Sequence, residues 1–560
     1  MDARPDQRLT VLRWSERDEL DQAWVDGLFG PGALFELATE DVLGQAVEVF
    51  AQRPRSVPEI LERAAAGHGA RPYLIDAERT VTFADAPGLA ARVAHALAEH
   101  HGVRPGDRVA LCGGVSLAHA LAVWGVAAAG AVATTLNPSW VAAELAHAVE
   151  LTGPVLALGD AEVLDRLAAT GVTAVAFTDL LESAEQSSSA STSARPPIGE
   201  DDPFAIVFTS GTTGRPKGAT LSHRNAVHFS LAAAAASAVH SIIHALPPPG
   251  DNPPTVIAAS PLFHVSGLLG QLTNGAFWGM SVVMPRPGRW DETAHLELSE
   301  QHRVTSWSIV PTQLWRLVEH PDLERYDLSA LEVIGGGGAT FSPDLLRRTA
   351  ERLPHAATAL RVGYGMTETA GTVTMLQPPA PPRHRSSVGT PVAGTEIEIR
   401  DHDGAPLDDG EIGQIWARGA QVFLGYWNDE AATTAALDGG RWYATGDFGR
   451  VDEGYLHLES RLRDLIIRGG ENIYPIEIEN RLVEHPAIAE AAVVGVDHPT
   501  LGQQVKAVCV VRAGHTVTAD EVRQWVAAEH ARYKVPTVVE FRPDLPRNDV
   551  GKVLKTELTG

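Results

Sequence analysis

The segment VFTSGTTGRPKGATLSH, Val207 to His223, packs three glycines and four hydroxyl residues into the ten positions from Thr209 to Gly218, with Lys217 among them. Such a stretch has little apolar side chain to bury but many backbone N–H and hydroxyl donors. A glycine-rich turn after a strand can aim N–H groups at phosphate oxygens, and a lysine adds a point charge. The order is not that of a Walker A loop, because Lys217 stands between Pro216 and Gly218. The segment reads as a cradle for something anionic. Six further clusters follow along the chain: SPLFHVSG (260–267), GGGGAT (335–340), GYGMTET (363–369), WYATGD (442–447), RGGEN (468–472) and LPRNDVGKVLK (545–555).

Taken in this order, the clusters resemble the signatures of the adenylate-forming superfamily: acyl- and aryl-CoA synthetases, firefly-type luciferases and peptide-synthetase adenylation domains. The resemblance spans most of the chain and implies an ATP-dependent acyl-CoA ligase. A carboxylate would attack the α-phosphate of ATP, giving acyl-adenylate and pyrophosphate, and CoA would then give the thioester and AMP. One anion must approach another, so positioning and charge neutralisation carry much of such a reaction.

Residue by residue, the resemblance implies that Thr209, Ser210, Gly211, Thr212, Thr213, Gly214 and Lys217 hold the ATP phosphates. Thr209 and Glu368 would bind Mg²⁺, a hard cation suited to oxygen ligands, and Thr367 would contact the α-phosphate. Gly338, Ala339 and Thr340, with Tyr364 and Gly365, match the segments around adenine. Asp447 and Arg461 match the ribose-binding pair; a carboxylate can accept from both ribose hydroxyls. Lys552 would stabilise the charge developing during adenylation. Arg463 occupies the hinge position, and Gly469, Gly470 and Glu471 the loop on the CoA side. Ser460 departs from the Gly or Asp common before the ribose arginine and removes no catalytic group.

The acid is bounded by the segment around Phe263 and His264. Peptide-synthetase domains hold an ammonium there with an Asp, and LFHVSGL has no carboxylate, which disfavours an amino acid. His264 matches the gating aromatic at the acyl entrance. The acyl pocket is expected from His264, Val265, Gly267, Trp307, Val310 and Gly336, with glycines leaving room for bulk. No charge appears among them, so a hydrophobic acid is expected: fatty, aromatic or polycyclic. Two rival readings are an enzyme that hands its adenylate to a carrier protein or another acceptor, and a non-catalytic nucleotide and fatty-acid sensor.

The elements that position these clusters follow from patterning. Strand-like DRVALCG, PVLALGD and GVTAVAFTDL alternate with helical stretches, which predicts an α/β fold with largely parallel sheets flanked by helices and a small mobile α+β domain at the C-terminal end. The expected division is an N-terminal extension over 1–55, a large domain over 56–462 and a small domain over 463–560. SAEQSSSASTSARPPIGE (183–200) reads as a polar loop. The 560 residues exceed what one core supports, and 44% are apolar. The net charge of −25 argues against a nucleic-acid partner. Two cysteines in apolar surroundings fit a reducing cytoplasm rather than a disulfide framework. No segment reads as membrane-spanning or as a signal peptide. A homodimer involving the N-terminal segment is a further expectation.

Overall fold

The computed structural model describes residues 22–186, 196–209, 215–243, 254–286, 288, 290–337, 341, 343–357, 360–376, 382–384, 387–461, 464–468, 471–547 and 553–559. Two large sheets carry the bulk of the chain. The first has seven strands in the order Gly425–Tyr426, Lys217–Ser222, Pro203–Thr209, Val132–Leu136, Arg108–Cys112, Leu156–Gly159 and Ala174–Ala176. Its centre is parallel, as the βαβ rhythm predicts, and Val109, Ala110, Leu111 and Cys112 are all fully buried. Burial on both faces explains why these strands read as unbroken apolar runs. The helix Leu117–Ala128 opens on Ser116, whose side chain accepts from the His119 N–H, and it is apolar nearly all round because it sits inside the largest core cluster.

The strand Pro203–Thr209 (β1) turns back as Lys217–Ser222 (β2), which runs into the long helix His223–Ile243 (α1). A second sheet of nine strands packs beyond this helix. Its site-bearing strands are Ser306–Ser308 (β3), Val333–Gly336 (β4), Leu360–Tyr364 (β5) and Thr374–Leu376 (β6). β3, β4 and β5 are parallel, and β6 returns antiparallel. One face of this sheet, carrying Trp307, Ile334, Leu360 and Val362, packs into its own core cluster. A four-stranded antiparallel sheet follows, whose last two strands are Tyr443–Asp452 (β7) and Tyr455–Arg461 (β8). A five-stranded sheet with its own core, built on Ile466, Ile478, Val493, Val505 and Val522, occupies the C-terminal part.

Two local expectations are refined. The predicted loop from 183 begins as helix, because Leu180 and Ala184 lie one turn apart on the buried face of Phe177–Gln186. Near the N-terminus, Leu37–Val42 and Gln45–Phe50 form a hairpin, and Val42, Val47 and Val49 close over Ala420. Arg53 fastens it, donating to both Glu40 and Glu200. No described helix is long and apolar enough to cross a membrane.

Candidate active site

β1 is buried until Thr209, where it ends, and its hairpin partner opposite Thr209 is Lys217. Gly218 is required by packing: a Cβ there would sit 2.7 Å from the Ile206 side chain. The loop residues Ser210, Gly211, Thr212, Thr213 and Gly214 lie outside the described residues. The Lys217 ammonium stands 5.0 Å from the centre of the Tyr426 ring, a cation–π contact. The Tyr426 hydroxyl in turn donates to Glu368 Oε1 at 2.7 Å. Burial, with the Glu368 carboxylate beside them, raises the phenols of Tyr426 and Tyr443, so both remain protonated donors. Lysine, tyrosine and glutamate thus form a relay of contacts from the end of β1 to the 3₁₀ turn Thr367–Thr369.

That turn follows β5 and is tightly built. Ala370 has φ 51° and Gly371 φ 98°, so the chain reverses immediately after Glu368, whose side chain is buried. The turn is held from outside by the Phe423 N–H, which donates to the Glu368 carbonyl at 2.9 Å. Gly365 cannot carry a side chain, since a Cβ would lie 2.5 Å from the Gly371 carbonyl.

Tyr364 ends β5, and its hydroxyl donates to Asp447 Oδ2 at 3.0 Å, with both residues buried. Asp447 belongs to β7, in the four-stranded sheet, and its own N–H donates to Thr445 Oγ1. The predicted adenine and ribose residues therefore meet across two sheets through one hydrogen bond. Arg461 is the register partner of Asp447 on β8; its side chain lies outside the described residues, as do Gly338, Ala339 and Thr340.

His264 precedes the short turn Val265–Gly267, with extended backbone at φ −120°. Its ring lies 4.6 Å from that of Phe263. Val265 and Phe229 of α1 both face Gly371, at 3.5 and 3.6 Å from where its Cβ would be. The segment predicted to form the acyl entrance thus abuts the turn that carries Glu368.

Three pocket expectations are corrected. Trp307 does not line a pocket. It is fully buried on the core face of β3, donates to Ser299 Oγ at 3.0 Å and meets His295 edge-on. In a three-residue strand the neighbours Ser306 and Ser308 take the other face. Gly267 and Gly336 do not hold open space either, because a Cβ on them would lie 2.1 Å from the Pro261 carbonyl and 1.9 Å from the Ile309 carbonyl. They admit backbone, not ligand. The open glycine is Gly335, whose Cβ would meet nothing within 4 Å. Val310 stands before the helix Pro311–Val318, its N–H donating to the Gln313 side chain. Arg361, on β5, was not among the expected pocket residues and faces the same side of the sheet as Gly335.

Toward the C-terminal end, Arg463, Gly469, Gly470 and Lys552 fall outside the described residues. On either side of them, Arg468 and Glu471 are register partners on adjacent antiparallel strands, Arg468 Nη1 donates to the Tyr533 carbonyl, and Arg547 forms a β-bridge with Val553.

Sequence reasoning missed Tyr426, Tyr443, Phe229 and Arg361. Only alternation along LRVGY, with Arg361 between core-facing Leu360 and Val362, carried a signal for one of them.

The chain matches the AMP-binding enzyme model over residues 61–427 and the AMP-binding enzyme C-terminal domain model over 477–552. It is 36% identical to a feruloyl-CoA synthase of an Amycolatopsis species over 481 residues, covering 85% of this chain and 93% of that one. It is 40% identical to an indoleacetate–CoA ligase of Aromatoleum aromaticum over 365 residues, 65% of this chain and 68% of the relative. Among solved structures, o-succinylbenzoate CoA synthetase from Bacillus subtilis bound to its acyl-adenylate intermediate superposes with a TM-score of 0.76 at 30% identity, covering 91% of this chain and 99% of that one. Motifs, sheets and relatives agree: the chain belongs to the AMP-binding enzyme family, in the acyl-CoA synthetase branch of the adenylate-forming enzymes.

Proposed function

We propose that the protein is an ATP-dependent acid–thiol ligase that joins a hydrophobic ring-bearing acid to CoA through an acyl-adenylate. The observation that carries this reading is that β5 and the turn after it bring the Tyr364–Asp447 pair within four residues of the Lys217–Tyr426–Glu368 relay. The named acids of the two relatives, ferulate and indoleacetate, are both aromatic, and this supports a ring acid here.

In this reading Asp447 accepts from the ribose hydroxyls while Tyr364 fixes its carboxylate and flanks adenine. Lys217 and the loop before it hold the phosphates, and Thr367 contacts the α-phosphate. Magnesium arrives with ATP. A buried carboxylate and the Thr209 hydroxyl offer it hard oxygen donors, a set that suits such an ion; bound there, it would offset phosphate charge. Tyr426 orients Glu368, so that the carboxylate is positioned before ATP enters. His264 gates the acyl entrance. Lys552 reaches the cleft for adenylation, and rotation about Arg463 then brings Gly469, Gly470 and Glu471 to the CoA side. This motion needs 463–560 to move as one body against the large domain 56–462, on which the N-terminal extension 1–55 packs. The buried thiols of Cys112 and Cys509, both pushed up to about 12 by desolvation, are unreactive and suit a cytoplasmic protein.

The test is pyrophosphate release from MgATP across fatty, cinnamic-type, indole and polycyclic acids, with and without CoA, scoring thioester by mass. Acid-dependent pyrophosphate with thioester is expected. Pyrophosphate without thioester would overturn CoA as the acceptor, and tight ATP binding without turnover would overturn the enzyme.

A further inference from the structure

Arg361 is a partly buried cation that meets a single hydroxyl among the described residues. Its Nη1 donates to the Ser237 hydroxyl on α1, and its Nε is buried without a hydrogen-bond partner. No carboxylate among the described residues forms an ion pair with it. Desolvation alone moves its guanidinium, down to about 10 from 12.5. Removing a charge from water without giving it a partner is costly. The deeply buried Arg53 and Arg224 avoid that cost by meeting two and three carboxylates respectively.

Its surroundings explain what could offset that cost. Register pairs share a face of a sheet, so Ser308, Gly335 and Arg361 form one row on β3, β4 and β5, turned away from Trp307, Ile334 and Leu360. That row faces α1, where Ser237 sits. Gly335 has open space where its side chain would be, and Gly363, two residues beyond Arg361 on the same face, meets only carbonyl oxygens, 3.9–4.0 Å from its Cβ position. Gly335 and Gly363 thus leave bare backbone beside Arg361, and the strip between this face and α1 forms a trough. Phe229, on the same helix as Ser237 but at the other end of the trough, lies against Val265 and Gly371 at the acyl entrance. From Phe229 to Ser237 the helix rises ~12 Å, and from Arg361 to Gly365 the chain runs ~13 Å.

We infer that Arg361 is a specificity residue which binds a second oxygen acceptor, a carboxylate or ring carbonyl, on the far end of the acid. This deepens the ligase reading and rests on it. The acid class is a rigid body of two or three fused rings, with the reacting carboxylate on a side chain at one end and the acceptor at the other. A plain fatty acid would leave the guanidinium unpaired.

The experiment uses acyl-sulfamoyl-adenosine analogues of three matched acids, naphthalene-propanoic acid and its counterparts with a carboxyl or a carbonyl on the far ring. Affinities for wild type, Arg361→Met and Arg361→Lys are read by calorimetry, so that no turnover is needed. Wild type should bind one of the oxygenated analogues about 10- to 100-fold tighter than the plain one, as a desolvated charge-assisted hydrogen bond allows. Arg361→Met should bring the ratio near one, Arg361→Lys should retain part of it, and the Met variant should melt no lower than wild type. Equal affinities in wild type, or a ratio unchanged in Arg361→Met, would overturn the inference. A lower melting temperature in Arg361→Met with no change in ratio would make the arginine a structural tie, which overturns it equally. If the ligase reading alone failed, the analogues would still discriminate while no thioester formed from any acid.

Discussion

At the scale of single residues, the central contact is the hydrogen bond from Tyr364 to Asp447. It holds the carboxylate before ligand arrives, which limits what binding must spend on ordering. Asp447→Asn keeps the shape but replaces one acceptor oxygen by a donor. The expected loss in kcat/KM for ATP is about 10- to 100-fold, the range set by charge-assisted hydrogen bonds of ~1.5–3 kcal/mol. Tyr364→Phe, which only frees the carboxylate, should cost less. Steady-state kinetics with ATP varied at saturating acid would check both, and an unchanged KM for ATP in Asp447→Asn would remove the ribose role. Asp447 stood out as a candidate in the sequence because its motif is local. Tyr426, which bonds Glu368 from 58 positions away, was not.

Elements decide what the glycines mean. GGGGAT reads uniformly as close backbone approach, yet its second and first glycines do opposite things. A Cβ on Gly336 collides with the Ile309 carbonyl, whereas one on Gly335 points into the trough. Gly336→Ala should therefore destabilise the fold by roughly 1–3 kcal/mol, the usual range for overpacking, seen as a lower urea midpoint. Gly335→Ala should change stability by no more than ~0.5 kcal/mol and raise KM for a fused-ring acid while sparing a short aliphatic one. Equal effects of the two substitutions on stability would contradict this assignment of faces. Trp307 makes the same point: in a strand as short as Ser306–Ser308, parity cannot be read from the sequence, and only the neighbouring strands show which face meets the core.

Two predictions belong to the whole molecule. Lys552→Ala should abolish pyrophosphate formation but leave conversion of supplied acyl-adenylate to thioester, measured in separate half-reactions; equal loss in both would contradict a small domain that serves each step in a different position. The second concerns acid stability. Desolvation depresses three fully buried histidines, His119 to about 4 and His228 and His295 to about 3, from the ordinary 6.5. Below 6.5 the unfolded chain takes up protons that the folded one refuses. Their contribution is thus complete above pH 6.5 and is lost progressively as pH falls toward 3–4. The thermal midpoint should drop between pH 7 and pH 4.5, and His295→Leu should flatten that slope; an unchanged slope would exclude His295 as a source.

The order and wording of the motifs determined the family and the ligase activity that goes with it, and they named the candidate nucleotide-binding residues. Those tasks fall to backbone turns and to side chains a few positions apart, so a local string suffices to specify them. Alternating apolar strands and helices likewise sufficed for parallel sheets, because burial on both faces leaves a mark in composition. The tertiary structure alone decided how the segments predicted to form the acyl pocket are packed. Which face of β3, β4 and β5 looks toward α1, which glycine is open, and whether Arg361 has a partner all depend on packing between segments up to 124 positions apart. The sequence shows an arginine on a strand; only the assembled sheet and helix show that, among the described residues, its charge meets a single hydroxyl and no carboxylate.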